Sequence, residues 1–142
     1  MHQILDGKEL SKTIKEELKV KVEKRIAEGK KTPHLAAILV GLDGASQTYV
    51  NSKIKSCEQV GFKSTLLNFK ENASEIEILE AVKQLNDDDN IDGFIVQLPL
   101  PKHIDADKIT HTIDPKKDVD GFHPFNIGNL TLGLDTYISA TP

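Results

Sequence analysis

Three polar side chains recur at helical spacing in the pattern Ser46-x-x-Tyr49-x-x-x-Lys53. Spacings of three and four residues place all three on one face of a helix. A lysine on such a face can exchange protons near neutral pH only if partial burial lowers its pKa, and a serine hydroxyl one or two turns away can hold the ammonium group in position. Taken alone, this spacing more often belongs to a solvated lysine and a half-buried tyrosine on an ordinary helix.

The Tyr-x-x-x-Lys spacing also occurs in short-chain dehydrogenases, where the tyrosine is the acid and the lysine lowers its pKa. Enzymes of that class need a glycine-rich dinucleotide loop after the first strand. The chain contains no Gly-x-Gly-x-x-Gly sequence. We therefore exclude this class.

A second group of residues, Val96-Gln97-Leu98-Pro99-Leu100-Pro101, ends a short apolar run. Gln97 carries both a donor and an acceptor, and the two prolines fix the backbone behind it. A strand that ends in a rigid turn explains the prolines but does not require a glutamine. Because a sharp turn must present Gln97, we also expect one X-Pro bond of this segment to be cis.

A third group is the charged turn 115–122, Pro-Lys-Lys-Asp-Val-Asp-Gly-Phe. Its charges could serve only to solvate a loop. A fixed carboxylate, however, can accept two parallel N–H bonds from a 2-amino-4-oxopyrimidine ring, and charge-assisted pairs of that kind are strong.

The elements that must position these groups alternate between helix and strand. Apolar periodicity and capping signals predict helices at 6–29, 43–60, 74–85 and 105–113, strands at 34–40, 62–69 and 91–98, and an ordered loop at 114–135. This order predicts an α/β fold with a mostly parallel sheet between helical layers, that is, a three-layer αβα architecture. Ligands of such sheets bind beyond the carboxyl ends of the strands, here near Gly41, Phe69 and Gln97.

Composition narrows the class of protein further. The 142 residues suit one domain, and 22 acidic against 18 basic side chains give a net charge of -4, so we expect no nucleic-acid partner. No span approaches the roughly twenty apolar residues that cross a bilayer, so we expect no membrane partner. Cys57 is the only cysteine and the five histidines lack metal-ligand spacing, so we predict no disulfide, no metal site and a cytoplasmic protein.

Taken in order, these motifs resemble one known family along nearly the whole chain. They are Tyr-Val-x-x-Lys-x-Lys-x-Cys from Tyr49, Gln-Leu-Pro-Leu-Pro from Gln97, Lys-Asp-Val-Asp-Gly-Phe from Lys117, and Asn126-x-Gly128-x-Leu130. The family is that of methylenetetrahydrofolate dehydrogenase/methenyltetrahydrofolate cyclohydrolase. The segment 137–142, Tyr-Ile-Ser-Ala-Thr-Pro, departs from it, since many relatives have phenylalanine first and proline before Ala or Cys.

The resemblance implies a role for each candidate residue. Lys53 would be the catalytic lysine, and Ser46 matches the family's serine in the same motif. Tyr49 would pack its ring along the folate, Gln97 would support both lysine and substrate, and Asp120 would grip the pterin.

The resemblance also implies a bifunctional enzyme of one-carbon metabolism. Its substrate would be 5,10-methylenetetrahydrofolate, oxidised with NADP to the 5,10-methenyl form, which water then opens to 10-formyltetrahydrofolate. We expect residues 1–142 to be the folate-binding catalytic domain of a homodimer, truncated before a Rossmann domain that binds NADP, with Thr141 and Pro142 beginning the next helix. The alternatives are a noncatalytic folate-binding module and a structural fragment with an incomplete site.

Overall fold

Helices and strands alternate through the chain in a computed structural model that describes residues 6–41 and 44–139. The elements in chain order are α1 (Gly7–Ala27), β1 (His34–Val40), α2 (Gly44–Val60), β2 (Lys63–Phe69), α3 (Glu75–Asp87), β3 (Gly93–Val96), α4 (Ala106–Thr112) and α5 (Pro124–Thr131). Asp43, where the second helix was expected to begin, and the dipeptide Thr141-Pro142 lie outside the described residues. No helix in the described ranges is long and apolar enough to cross a membrane.

The three strands form a parallel sheet in the order β2-β1-β3. Beyond β3, the backbone N–H of Phe94 donates to the carbonyl of Lys117 at 2.9 Å, and Phe94 forms a parallel bridge with Asp118. The charged turn 115–122, which follows α4 in the chain, therefore lies against the sheet edge at β3. This pairing brings Asp120, two residues later, to the carboxyl end of the sheet.

The alternating side chains of β1 enter two different cores, which makes the fold three-layered. Ala36, Ile38 and Val40 pack with α3 and α4 on one face of the sheet. Ala37 and Leu39 pack with Val50 of α2 on the other face. The predicted αβα architecture is confirmed, and every strand pair described is parallel.

The predicted helix caps at Asp6 and Ser74 are both present. The Asp6 side chain accepts hydrogen bonds from the backbone N–H groups of the first turn of α1. Ser74 and Glu77 form a complete capping box at the start of α3, with each side chain bonded to the other residue's backbone N–H. Local hydrogen bonds therefore fix where these two helices begin.

The segment 114–135 was predicted as ordered loop, and this prediction was wrong for α5. The helix begins with Pro124 in its first turn, and His123 is its cap: the Nδ1 atom accepts from the backbone N–H of Phe125 at 3.1 Å. Histidine is not among the usual capping residues. Asn and Gly within the helix also lower its intrinsic propensity, so tertiary contacts must stabilise it.

Candidate functional site

Lys53, Gln97 and Asp120 meet at one cleft at the carboxyl end of the sheet. The cleft holds about 280 Å³. Its described lining is completed by Val96, Leu98, Phe122 and Ser139. Three sequence motifs that are far apart in the chain thus contribute an ammonium, a carboxamide and a carboxylate to the same small space.

Lys53 faces Asp120 across this cleft. The Nζ atom lies 4.0 Å from Oδ1 of Asp120, and the two side chains are 41% and 33% exposed. At this separation and exposure the pair contributes little to stability, because solvent screens the attraction. A ligand can therefore separate Lys53 from Asp120 at a low cost in free energy.

Burial raises the pKa of the Asp120 carboxyl above its ordinary value. The nearby Asp118 carboxylate also raises this pKa, whereas the Lys53 ammonium opposes the shift. The backbone after Asp120 is closely packed: Gly121 has φ +70°, and a Cβ there would come within 2.8 Å of the carbonyl oxygen of Tyr137. Only glycine fits that position, so the segment around Tyr137 packs directly on the turn that presents Asp120.

Gln97 is held by its backbone and by one of its two side-chain groups. The backbone N–H donates to the carbonyl of Ile38 at 2.9 Å, and Nε2 donates to the carbonyl of Leu98 at 2.7 Å. Oε1 is buried and has no hydrogen-bond partner among the described residues. A buried acceptor without a donor is costly, so this atom marks a place where a donor from a ligand or from Lys53 would be stabilising.

The predicted cis bond lies directly after Gln97. The Leu98–Pro99 peptide is cis, as the Gln-Leu-Pro-Leu-Pro segment indicated.

Comparison with known proteins identifies the family of this chain. A family model described as tetrahydrofolate dehydrogenase/cyclohydrolase, catalytic domain, matches residues 5–120. The chain belongs to this family.

Several relatives match along almost the full chain. The bifunctional protein FolD of Bacteroides fragilis is 55% identical over 139 residues, covering 98% of this chain and 47% of the relative. The FolD protein of Cytophaga hutchinsonii is 59% identical over 140 residues, covering 99% of this chain and 48% of the relative. The chain spans about half the length of the curated relatives it matches.

Solved structures of the family share the fold closely. The bifunctional FolD dehydrogenase/cyclohydrolase of Campylobacter jejuni superposes with a TM-score of 0.95 at 50% identity, covering 99% of this chain and 50% of the other. The FolD enzyme of Trypanosoma brucei, solved with NADP cofactor and an inhibitor, gives a TM-score of 0.89 at 31% identity, covering 94% and 46%. The fold predicted from the family resemblance is confirmed.

The structure places the other two candidate residues, Ser46 and Tyr49, on α2 but not on the described lining of the cleft. The family's serine, Ser46, is buried in the first turn of α2, two helical turns from Lys53. Tyr49 lies one turn before Lys53 and is 64% exposed. The ring of Tyr49 is therefore available at the surface beside the lysine.

Two buried polar residues near Asp120 escaped the sequence analysis as site residues. Asp118 and Asn126 are each only 3% exposed, although both types normally face water. The Asp-x-Asp pattern in the charged turn does not show which of its two carboxylates is buried. Asn126 was noted as part of a family motif, without a role.

Two larger hollows border α1, one of about 700 Å³ and one of about 770 Å³. The first is lined by polar and charged side chains of α1 and its cap together with Gln59, and the second by mostly apolar side chains of α1 and α2 together with Phe62. Cys57, the last residue of the motif that begins at Tyr49, lines the second hollow, but neither hollow contains Lys53, Gln97 or Asp120. The smaller cleft is the candidate site because these three charged and polar side chains converge there.

Proposed function

We propose that this chain is the folate-binding catalytic domain of a bifunctional enzyme. The enzyme oxidises 5,10-methylenetetrahydrofolate to 5,10-methenyltetrahydrofolate and hydrolyses the product to 10-formyltetrahydrofolate. The observation that carries the proposal is the convergence of Lys53, Gln97 and Asp120 on one cleft. With about 280 Å³, this cleft lies near the lower end of the size range of ligand sites, so it suits one end of a folate, the pterin, better than the whole molecule.

In this proposal Asp120 binds the pterin ring. An ionised carboxylate accepts two parallel N–H bonds from the 2-amino-4-oxopyrimidine edge. Burial strengthens these bonds, since less water competes for the carboxylate oxygens. Tyr49, exposed one turn before Lys53, supports the folate by stacking its ring beyond the cleft.

Lys53 moves protons in the hydrolytic step. Water adds to the cationic methenyl carbon and loses a proton, and the carbon–nitrogen bond that then breaks requires a proton at the nitrogen. A lysine amine can accept the first proton and, as ammonium, supply the second. Oε1 of Gln97, which has no hydrogen-bond partner among the described residues, accepts a hydrogen bond from that ammonium or from the substrate. Ser46, buried in the first turn of α2, stays a predicted member of the site.

NADP serves as the hydride acceptor in the proposed enzyme, as in the T. brucei relative solved with that cofactor. The sequence after β1, where a doubly wound sheet usually binds phosphates, has no Gly-x-Gly-x-x-Gly pattern. A Cβ on Gly41 would lie 3.7 Å from the Cα of Glu71, so the neighbour of Gly41 is an acidic residue, which disfavours a phosphate. We therefore assign no NADP-binding residue within this chain and derive no hydride step from its residues.

The remaining expectations complete the proposal. The protein acts in the cytoplasm as a homodimer, with a small-molecule folate substrate and without nucleic acid or membrane as a partner. A net charge of -4 supports the exclusion of nucleic acid, since no global positive field exists to attract phosphates.

The test follows the absorbance of 5,10-methenyltetrahydrofolate with time. Wild-type protein should accelerate its decay over buffer, and Lys53→Gln should abolish the acceleration while folate still binds. Lys55→Gln is the matched control, because Lys55 is an exposed lysine on the same helix and outside the described lining of the cleft. Equal rates for Lys53→Gln and wild type would refute the assignment of the lysine, and binding without any acceleration by the wild type would support the noncatalytic folate-binding module instead.

A further inference from the structure

The side chain of Asn126 is buried on α5 with its polar groups bonded. Nδ2 donates to Oδ2 of Asp118 at 2.8 Å and to the carbonyl of Pro115 at 2.9 Å. Oδ1 accepts from the hydroxyl of Thr136 at 2.9 Å. Both acceptors face the amide nitrogen and the hydroxyl donor faces the amide oxygen, so the orientation of the carboxamide is fixed by its surroundings.

Through these bonds Asn126 joins three segments of the chain. The segment 115–118 lies at the sheet edge, α5 carries Asn126 itself, and the segment 136–139 reaches the cleft with Ser139. The hydroxyl of Tyr137 reinforces the connection by donating to the carbonyl of Lys116 at 3.0 Å. These hydrogen bonds thus connect the segment that leads to Asp120 with the segment that ends at Ser139, on the two sides of the cleft.

Asp118 links the hydrogen bonds of Asn126 to the turn that carries Asp120. Its buried Oδ2 also accepts from the backbone N–H of His123 at 2.8 Å, which closes the turn that contains Asp120 and Gly121. A hydrogen bond to a buried carboxylate is strong, and a half-satisfied network of this kind is costly. Loss of the Asn126 amide would therefore let the turn shift.

We propose that Asn126 is a positioning residue that fixes the Asp120 carboxylate for its ligand by holding Asp118. Asn126 does not belong to the described lining of the cleft, so it acts without contact to the ligand. The inference rests on the proposed binding of the pterin by Asp120. Two parallel hydrogen bonds to a planar ring tolerate displacements of only about 0.5 Å, so a small movement of the turn is enough to weaken binding.

A double-mutant cycle tests the inference. Affinity for 5-formyltetrahydrofolate is measured by calorimetry on the wild-type chain, Asn126→Ala, Asp120→Ala and the double variant. We expect Asn126→Ala to weaken binding about tenfold in the wild-type background and less than about twofold when Asp120 is already alanine, because residues that act through one another are not additive. Equal fold-changes in the two backgrounds would overturn the proposal, since they would show a structural role independent of Asp120.

Two further arms keep the outcomes distinct. If Asp120→Ala binds the folate as tightly as wild type, the proposed function fails, whatever Asn126 does. If Asn126→Ala does not fold, Thr136→Val replaces it in the same cycle, because valine keeps the shape of threonine but removes the hydroxyl bonded to Oδ1 of Asn126. Thr136→Ser, which retains that hydroxyl, should bind within about twofold of wild type, and a loss as large as that of Thr136→Val would also overturn the proposal.

Discussion

Replacement of Gln97 by methionine should stabilise the ligand-free protein while weakening folate binding. The wild-type side chain has a buried oxygen, Oε1, with no partner in residues 6–41 and 44–139, and one hydrogen bond from Nε2 to the carbonyl of Leu98. Methionine has nearly the same length and flexibility, so it removes both features without a cavity. The two consequences for stability have opposite signs.

The magnitudes decide which consequence is larger. An unsatisfied buried acceptor costs about 1–3 kcal/mol, whereas a typical hydrogen bond contributes about 0.5–1.5 kcal/mol. The free energy of unfolding should therefore rise by about 1 kcal/mol, which corresponds to an increase in Tm of about 3 °C for a chain of this size.

Urea unfolding of the ligand-free protein measures this difference directly. Gln84→Met is the matched control, because Gln84 is exposed on α3, and its effect should stay within about 0.5 kcal/mol. A Gln97→Met variant that is less stable than wild type by about 1 kcal/mol or more would show that the buried Oε1 does not destabilise the ligand-free protein. Folate affinity should fall in the same variant, since the acceptor for lysine or substrate is lost.

Three further predictions concern other parts of the site. Asp120→Asn should gain stability relative to wild type as pH rises. Because its pKa is raised, the native Asp120 carboxyl keeps its proton at pH values where the unfolded carboxyl has released it, so wild-type stability falls between the unfolded and folded pKa values. Urea unfolding of both proteins below about pH 4 and near pH 7 measures the change, and an equal change in the two would contradict the prediction. In thermal melts, Gly93→Ala should lower the free energy of unfolding by about 1–3 kcal/mol, because its Cβ would lie 2.3 Å from Cγ1 of Val119. Gly128→Ala is the control: the space around Gly128 on α5 is open, so this variant should be as stable as wild type or more stable. Tyr49→Ala should leave Tm nearly unchanged, since the ring is exposed, but should weaken folate binding about fivefold in calorimetry; unchanged affinity would exclude stacking.

Local signals predicted the regular elements around the sheet well. The strand at 34–40 was predicted to the residue, because an apolar run between Pro33 and Gly41 has clear limits. The strand at 91–98 was predicted too long: β3 comprises only Gly93–Val96, although the backbone of Gln97 still bonds to the neighbouring strand. Periodicity thus finds a buried strand, but its ends depend on partners that the sequence does not show.

Only the site residues that belong to family motifs could be predicted from the sequence. Lys53, Gln97 and Asp120 came from family motifs, and the ends of the strands explain why they meet. The burial of Asp118 and the hydrogen bonds of Asn126 could not be predicted, because both depend on contacts between segments 8 or more residues apart. The same is true of α5, whose histidine cap and buried asparagine are satisfied only in the folded chain.

The central claim, that Asp120 in the cleft binds the 2-amino-4-oxopyrimidine edge of a folate, is tested most directly with a ligand that lacks that edge's amino group. Calorimetry would compare 5-formyltetrahydrofolate with its 2-desamino-2-methyl analogue on wild-type protein and on Asp120→Ala. We expect wild type to bind the analogue at least about tenfold more weakly, because one charge-assisted hydrogen bond is lost, and Asp120→Ala to bind the two ligands about equally. Equal affinities on wild type, or full discrimination retained by Asp120→Ala, would contradict it.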